Sequence, residues 1–172
     1  LLKKPKAEAV AAEPVKEAKP APVRAGDVTN AAGISRIVRA EGPIDVPKSG
    51  MAVYVGDTFE TKADGKVKIR LNDGSEMIVA SNSRVTIEHV SVDAATGRRN
   101  IRLDLLTGKV RSRVQKKYDG ENTFTIKTRT AVAGVRGTDF VASFEPGDRD
   151  GALQSVARFV EKPPLAYAQV LM

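Results

Sequence analysis

One arginine, Arg136, stands between two glycines in "AVAGVRGTDF", Ala131 to Phe140. A cation bracketed in this way suggests a phosphate cradle, a catalytic constellation or a buried brace. A phosphate loop needs a Lys-Ser or Lys-Thr pair after its second glycine and a helix behind it. Here Gly137 is followed by Thr138 and Asp139. A dinucleotide fingerprint needs a strand–helix–strand context, and the flanking pattern does not supply one. The remaining reading is a guanidinium in an apolar stretch, which must be met by carboxylate or carbonyl oxygens when buried. Asp139, Asp57 and Asp73 are its candidate partners. Gly134 and Gly137 are read as positions whose backbone angles or close contacts exclude a side chain.

The other chemically able residues are few. His89 is the single histidine and there is no cysteine. Disulfides, thiolate zinc sites, a cysteine nucleophile and a histidine-rich metal site are thereby excluded. His89 shares strand parity with Val85 and Ile87 in "RVTIEHV", and no serine or acid beside it resembles a triad. "DAATG" (Asp93 to Gly97) and "DRDG" (Asp148 to Gly151) look like the start of calcium loops. Neither reaches the bidentate acid such a loop requires, so both are read as turns. No pair of working carboxylates is recognisable. The expectation is a protein that is not an enzyme, with no metal and no cofactor.

Basic residues carry the remaining signal. Lys109, Arg111 and Arg113 alternate along "GKVRSRVQKK", Lys116 and Lys117 follow, and "GRRNIR" adds Arg98, Arg99 and Arg102. Should the two segments pair through a Thr107–Gly108 turn, they form one positive ribbon. Its ordinary explanation is a solvated strand face that keeps an edge from aggregating, and its functional one is an anionic partner. Nucleic acid is not expected, because Tyr118 is the only nearby aromatic for base stacking.

These residues must be positioned by strands. In "KVKIRL", Val67, Ile69 and Leu71 point one way and Lys66, Lys68 and Arg70 the other. "NDGS" then turns the chain into "EMIVA". The same period recurs in "RVTIEHV", "NIRLDL", "KVRSRV", "TFTIKT" and "DFVASF", with turn clusters between them. The fold class expected is all-β, built of many short, mainly antiparallel strands in a sandwich, barrel or solenoid-like stack. Residues 146–172 are read as an extension of the same domain. There "DGALQSVARFVEK" puts Leu153, Val156, Phe159 and Val160 on one helical face, and a strand is the alternative.

The chain has 172 residues and a net charge of +7. Residues 1–26 hold Pro5, Pro14, Pro20 and Pro22 among Ala, Lys and Glu, with six Lys/Arg against three Glu. Such a segment buries little and favours extended conformations, so it is read as a linker, and 27–145 as the β domain. No run approaches the roughly 18 apolar residues of a membrane span. Contact with a membrane is expected only through an upstream anchor.

The order of motifs resembles the FecR-like domain of bacterial envelope proteins. The matching pieces are "VGDTFET", "GKVKIRLNDGSEMIVASNSRV", "LDLLTGKVRSRV" and "FTIKTRTAVAGVRGTDFVA", spread over Val55 to Ala142. Carried over by position, the signature falls on Gly56, Asp57, Asp73, Gly74, Ser75, Asn82, Ser83, Gly108, Val135, Arg136, Gly137 and Thr138, as positions of the fold and not as a catalytic set. The resemblance implies a periplasmic interaction module of a bacterial envelope assembly. Its partners would be other envelope proteins, including copies of itself in a ring or lattice. Two alternatives are a sensing domain in signal transduction through a sigma-factor regulator and a peptidoglycan-binding module. The segment departs from the sigma-regulator pattern in lacking a helical cytoplasmic segment and a transmembrane helix.

Overall fold

The structure is a computed structural model and describes residues 21–114, 122–135, 139–145 and 169–171, the last as backbone only. Among these residues it is all-β. The strands are β1 Arg24–Ala32, β2 Ser35–Val38, β3 Ile44–Asp45, β4 Ala52–Tyr54, β5 Thr58–Thr61, β6 Lys66–Leu71, β7 Glu76–Val79, β8 Arg84–Val92, β9 Arg99–Arg113, β10 Thr123–Lys127, β11 Val132–Gly134, β12 Asp139–Phe144 and β13 Gln169–Leu171. Their pairings are antiparallel except β9 with β10. The all-β, mainly antiparallel expectation holds. Residues 146–168, including the helical alternative at Leu153, Val156, Phe159 and Val160, lie outside the described residues.

The 15-residue strand β9 organises the molecule, because it belongs to two arms of one curled sheet. Its first half pairs with β8 and β10, continuing outward through β5, β2 and β3 on one side and β11 and β13 on the other. Its second half pairs with β7 and β12, and from β7 the arm continues through β6, β1 and β4. The sheet thus folds over itself as a half-barrel, and both arms bury their inner side chains in one apolar cluster. Ile37, Phe59, Ile87 and Leu103 come from the first arm; Val28, Ile69, Met77 and Val110 come from the second. Alternation explains which residues go inside: Val67, Ile69 and Leu71 of β6 are buried while Lys66 and Arg70 are exposed.

The alternation of β9 is interrupted once. Ile101, Leu103 and Leu105 are buried in its first half, but Val110, Ser112 and Val114 are the buried residues further on. The inward parity therefore changes from odd to even. The change occurs at a bulge, where β9 advances from Leu105 to Thr107 while β8 steps only from Val85 to Arg84. Gly108 follows at φ +87°. The Thr107–Gly108 pair is thus not a hairpin turn, contrary to expectation; it bends a continuous strand from one arm into the other. His89 departs from the expected parity for a similar reason. A second irregularity, between Ile87 and His89, leaves His89 exposed and buries Val90 instead.

Candidate functional site

The described signature positions gather where the arms meet and at the turns that hold them. Asp57 follows Gly56 at the entry to β5, and its side chain is 2% exposed. Its Oδ2 accepts hydrogen bonds from the backbone N–H of Tyr54 at 2.9 Å and from Arg39 at 2.5 Å. Arg39 also donates through Nε to Asp45 at 2.8 Å and through Nη1 to the Ala52 carbonyl at 3.2 Å. Its Cζ lies 5.7 Å from the centroid of the Tyr54 ring. Burial acts to lower the pKa of Arg39, but hydrogen bonds and attraction from Asp45 and Asp57 outweigh it and raise the value above its ordinary range. Gly56 is confined as well: at φ +92°, an added Cβ would lie 2.6 Å from the Ala40 Cβ.

Arg39, a residue that the motif analysis does not single out, is thus a partner of Asp57; the expected pairing of Asp57 with Arg136 falls on a residue outside the described ones. A signal was available. Ser35, Ile37 and Arg39 alternate along one segment, and Ser35 and Ile37 are both buried. A charge at inward parity must find an opposite charge. Arg136, Gly137 and Thr138 lie outside the described residues, as do Lys116, Lys117 and Tyr118.

The second cluster locks the bend of β9. A Cβ on Gly108 would fall 2.2 Å from the Ser83 Oγ and 2.5 Å from the Asn82 carbonyl oxygen. That closeness lets the Ser83 hydroxyl accept from the Lys109 N–H at 2.8 Å while donating to the Ser81 carbonyl at 2.9 Å. Ser83 N–H in turn donates to the Thr61 hydroxyl at 3.0 Å. Asn82 adopts φ +50°, a left-handed conformation that Asn tolerates better than most residues. The third cluster is the β6–β7 turn. Asp73 accepts from the backbone N–H of Ser75 at 2.9 Å and from its hydroxyl at 2.5 Å, an Asx-type closure around Gly74.

Gly134 behaves differently from expectation. Its φ is not in the left-handed region, and an added Cβ would meet no described atom within 4 Å. Nothing described requires glycine there. Val135 next to it is buried and donates its N–H to the Phe124 carbonyl at 2.8 Å. Asp93 serves as a turn former: its carboxylate accepts from the Ala95 N–H at 2.8 Å and the Thr96 hydroxyl at 2.6 Å, and these bonds, the hydroxyl first, hold its pKa below the ordinary value.

The basic residues do not form one ribbon. Because β9 continues straight through Gly108, Arg99 and Arg102 lie on its first half and Arg98 in the turn before it, apart from Lys109, Arg111 and Arg113 on its second half. The latter three do share an outer face, and β6 adds Lys66, Lys68 and Arg70 to it through β7. Two carboxylates lie among them. Asp139 receives Arg111 in a bidentate pair at 2.9 and 2.6 Å, and Arg113 approaches it to 3.9 Å. The hydrogen bond and charge of Asp139 raise the Arg111 pKa. Glu76 receives Lys68 at 3.0 Å and Arg70 at 3.8 Å.

Among the described residues, no group of three or more His, Cys, Asp or Glu could hold a metal ion. No helix among them is long and apolar enough to cross a membrane. A family model described as FecR protein matches residues 57–157, more than half of the chain. No curated relative and no solved structure matches the chain.

Proposed function

The chain belongs to the FecR protein family, and from that membership together with the site geometry we propose that it is a non-enzymatic, extracytoplasmic protein-interaction module of the bacterial envelope. The observation that carries this reading is where the signature residues point. Asp57, Asp73, Ser75, Ser83 and Gly108 spend their polar groups and backbone angles on fixing the bend and the turns. Such residues make a frame, and the outward faces and edges of that frame are what a partner meets. The module's partners would be other envelope proteins, and a ring or lattice of copies would build the avidity that one small domain lacks.

The family's association with sigma-factor regulation and signal transduction favours a second reading, in which the module is the sensing half of a regulator. The two predict different consequences of deleting residues 21–172 in the native cell. An interaction module should leave transcription unchanged while a photo-cross-linker on its outer face captures an envelope protein. A sensing half should alter a sigma-dependent set of transcripts. An alkaline phosphatase fusion that stays inactive because it is not exported would sink both readings.

A further inference from the structure

Cross-strand register turns the outer face of the second arm into a lattice of charges. In one row, Arg70, Glu76, Arg113 and Asp139 stand opposite one another on β6, β7, β9 and β12, alternating in sign. The next row holds Lys68, Ile78, Arg111 and Val141, and has no acid. In the third, Lys66 lies one step before the Val67–Val79 pair, and Lys109 stands opposite Ser143. Ala80, whose N–H bonds the Lys109 carbonyl at 3.0 Å, fills the place between the two lysines with a methyl group. Both acids of these four strands thus lie in one row, which Asp27 of β1 extends beyond Arg70 while pairing with Arg24, and Lys68 and Arg111 lean back toward Glu76 and Asp139. Lys66 and Lys109 have no carboxylate within ion-pair reach among the described residues.

Six cations against two carboxylates leave four net charges on a patch of roughly 14 by 14 Å, from a strand spacing of about 4.8 Å and a two-residue step of about 6.8 Å. Residues 1–26 add six cations against three acids. What is left of the chain has sixteen of each sign, so its charge of +7 resides on this face and in that segment. In sequence the segment leads into β1, the strand beside β6.

We propose that this face lies directly against an anionic lipid bilayer and orients the domain on it. The outward residues of the four strands include no aromatic ring on which a nucleobase could stack. The face is the outside of a sheet, without the concavity that encloses a small ligand. Lysine is depleted from protein–protein interfaces, whereas a headgroup layer asks only for spread cations on flexible stems, each adding to the attraction. A second copy meeting it face to face would oppose four net charges with four, so a lattice of copies has to use other surfaces. The proposal rests on charge geometry and stands apart from the functional reading above.

The test is cosedimentation of the purified full chain with vesicles of phosphatidylcholine mixed with phosphatidylglycerol, and of phosphatidylcholine alone. Binding to the mixed vesicles only, weakening as salt rises, is expected. Two double variants remove equal charge from opposite arms: K66Q/K109Q from this face, and R36Q/R84Q from the other. The first should weaken partitioning by roughly thirtyfold and the second should leave it nearly unchanged. Thermal melts establish that both variants fold. Absence of binding at low salt overturns the proposal, and so does equal loss in both variants, since the attraction would then follow net charge alone. Retention on polyglutamate without vesicle binding would assign the face to an acidic polypeptide instead. Neither result depends on the compartment or the envelope partner.

Discussion

The two arms of the sheet solve the same packing problem inside and a different electrostatic problem outside. On the first arm, Arg36 and Arg84 converge on Glu60, and Lys127 reaches Glu88 at 3.3 Å. With Arg102 and Asp104 added, the outward strand residues come to four cations and three carboxylates, shared across neighbouring strands. On the second arm the outward positions of β6, β7, β9 and β12 hold six and two, and β1 adds the Arg24–Asp27 pair, one of each sign. Inside, both arms contribute to one continuous apolar cluster. A strand's buried face is constrained by its neighbours' volumes, while its outer face is free to be balanced or unbalanced. The imbalance of the second arm is therefore a property that folding does not require.

The largest effect should come from the clamp at the end of the first arm. Arg39→Ala leaves Asp57 buried without its cation, and about 3 kcal/mol of stability should be lost, as for other broken buried pairs. A urea denaturation midpoint measures it. A change near zero would mean that the Asp57 charge is compensated elsewhere. Next is the joint between the arms. Gly108→Ala combines a left-handed φ with a contact of 2.2 Å, and should cost about 2 kcal/mol or more. Gly134→Ala, with no comparable obstacle, should stay within about 0.5 kcal/mol of the parent. Equal effects at the two glycines would remove the bend from its place as the structural joint.

A smaller effect distinguishes the outer faces. Glu60→Gln strips two arginines of their shared acid on the balanced arm and should destabilise by less than about 1 kcal/mol, more at low salt than at high. Lys109→Gln on the cationic arm removes a charge that has no acid partner, and should be neutral or slightly stabilising at low salt. Thermal melts at two ionic strengths provide the comparison. A loss of stability at both positions would show that the second arm's cations are held by attraction and are not in excess.

How much of this is legible in the sequence depends on the range of the contact. The strand pattern of "KVKIRL" and the "NDGS" turn are visible because period-two alternation and turn chemistry are local. The bend of β9 is not, because a glycine at positive φ serves a hairpin and a bulge alike. What decides between them is Ser83, twenty-five residues away, stacked where a Cβ would be. His89 is misplaced for the same reason: one extra residue in β8 reverses the parity after Ile87. The outward alternation of Lys66, Lys68 and Arg70 and of Lys109, Arg111 and Arg113 can be read directly. That they share one face depends on register through β7, a long-range fact. Arg39 stands between these cases, since its inward parity is written in "SRIVR" and only its partner is distant.

A further small effect lies on the outer face of the first arm. Asp104 of β9 faces Thr86 across the β8 pairing and Lys127 across the β10 pairing, with Glu88 beside them. Partial burial raises its pKa above the ordinary 3.8, the Glu88 charge adds to the rise, and Lys127 opposes it. Between 3.8 and the raised value the folded state binds more protons than the unfolded one, so this group's contribution to stability improves as pH falls through that window. Above the window the ionised form is a standing cost. Asp104→Asn should therefore stabilise the domain at neutral pH by less than about 1 kcal/mol. The advantage should shrink as pH drops and the parent carboxyl takes up its proton. Denaturant midpoints of parent and variant, compared at neutral and acidic pH, test the sign. A gap that does not narrow with acid would mean that Lys127 already compensates the charge, and that this arm balances its carboxylates individually as well as in sum.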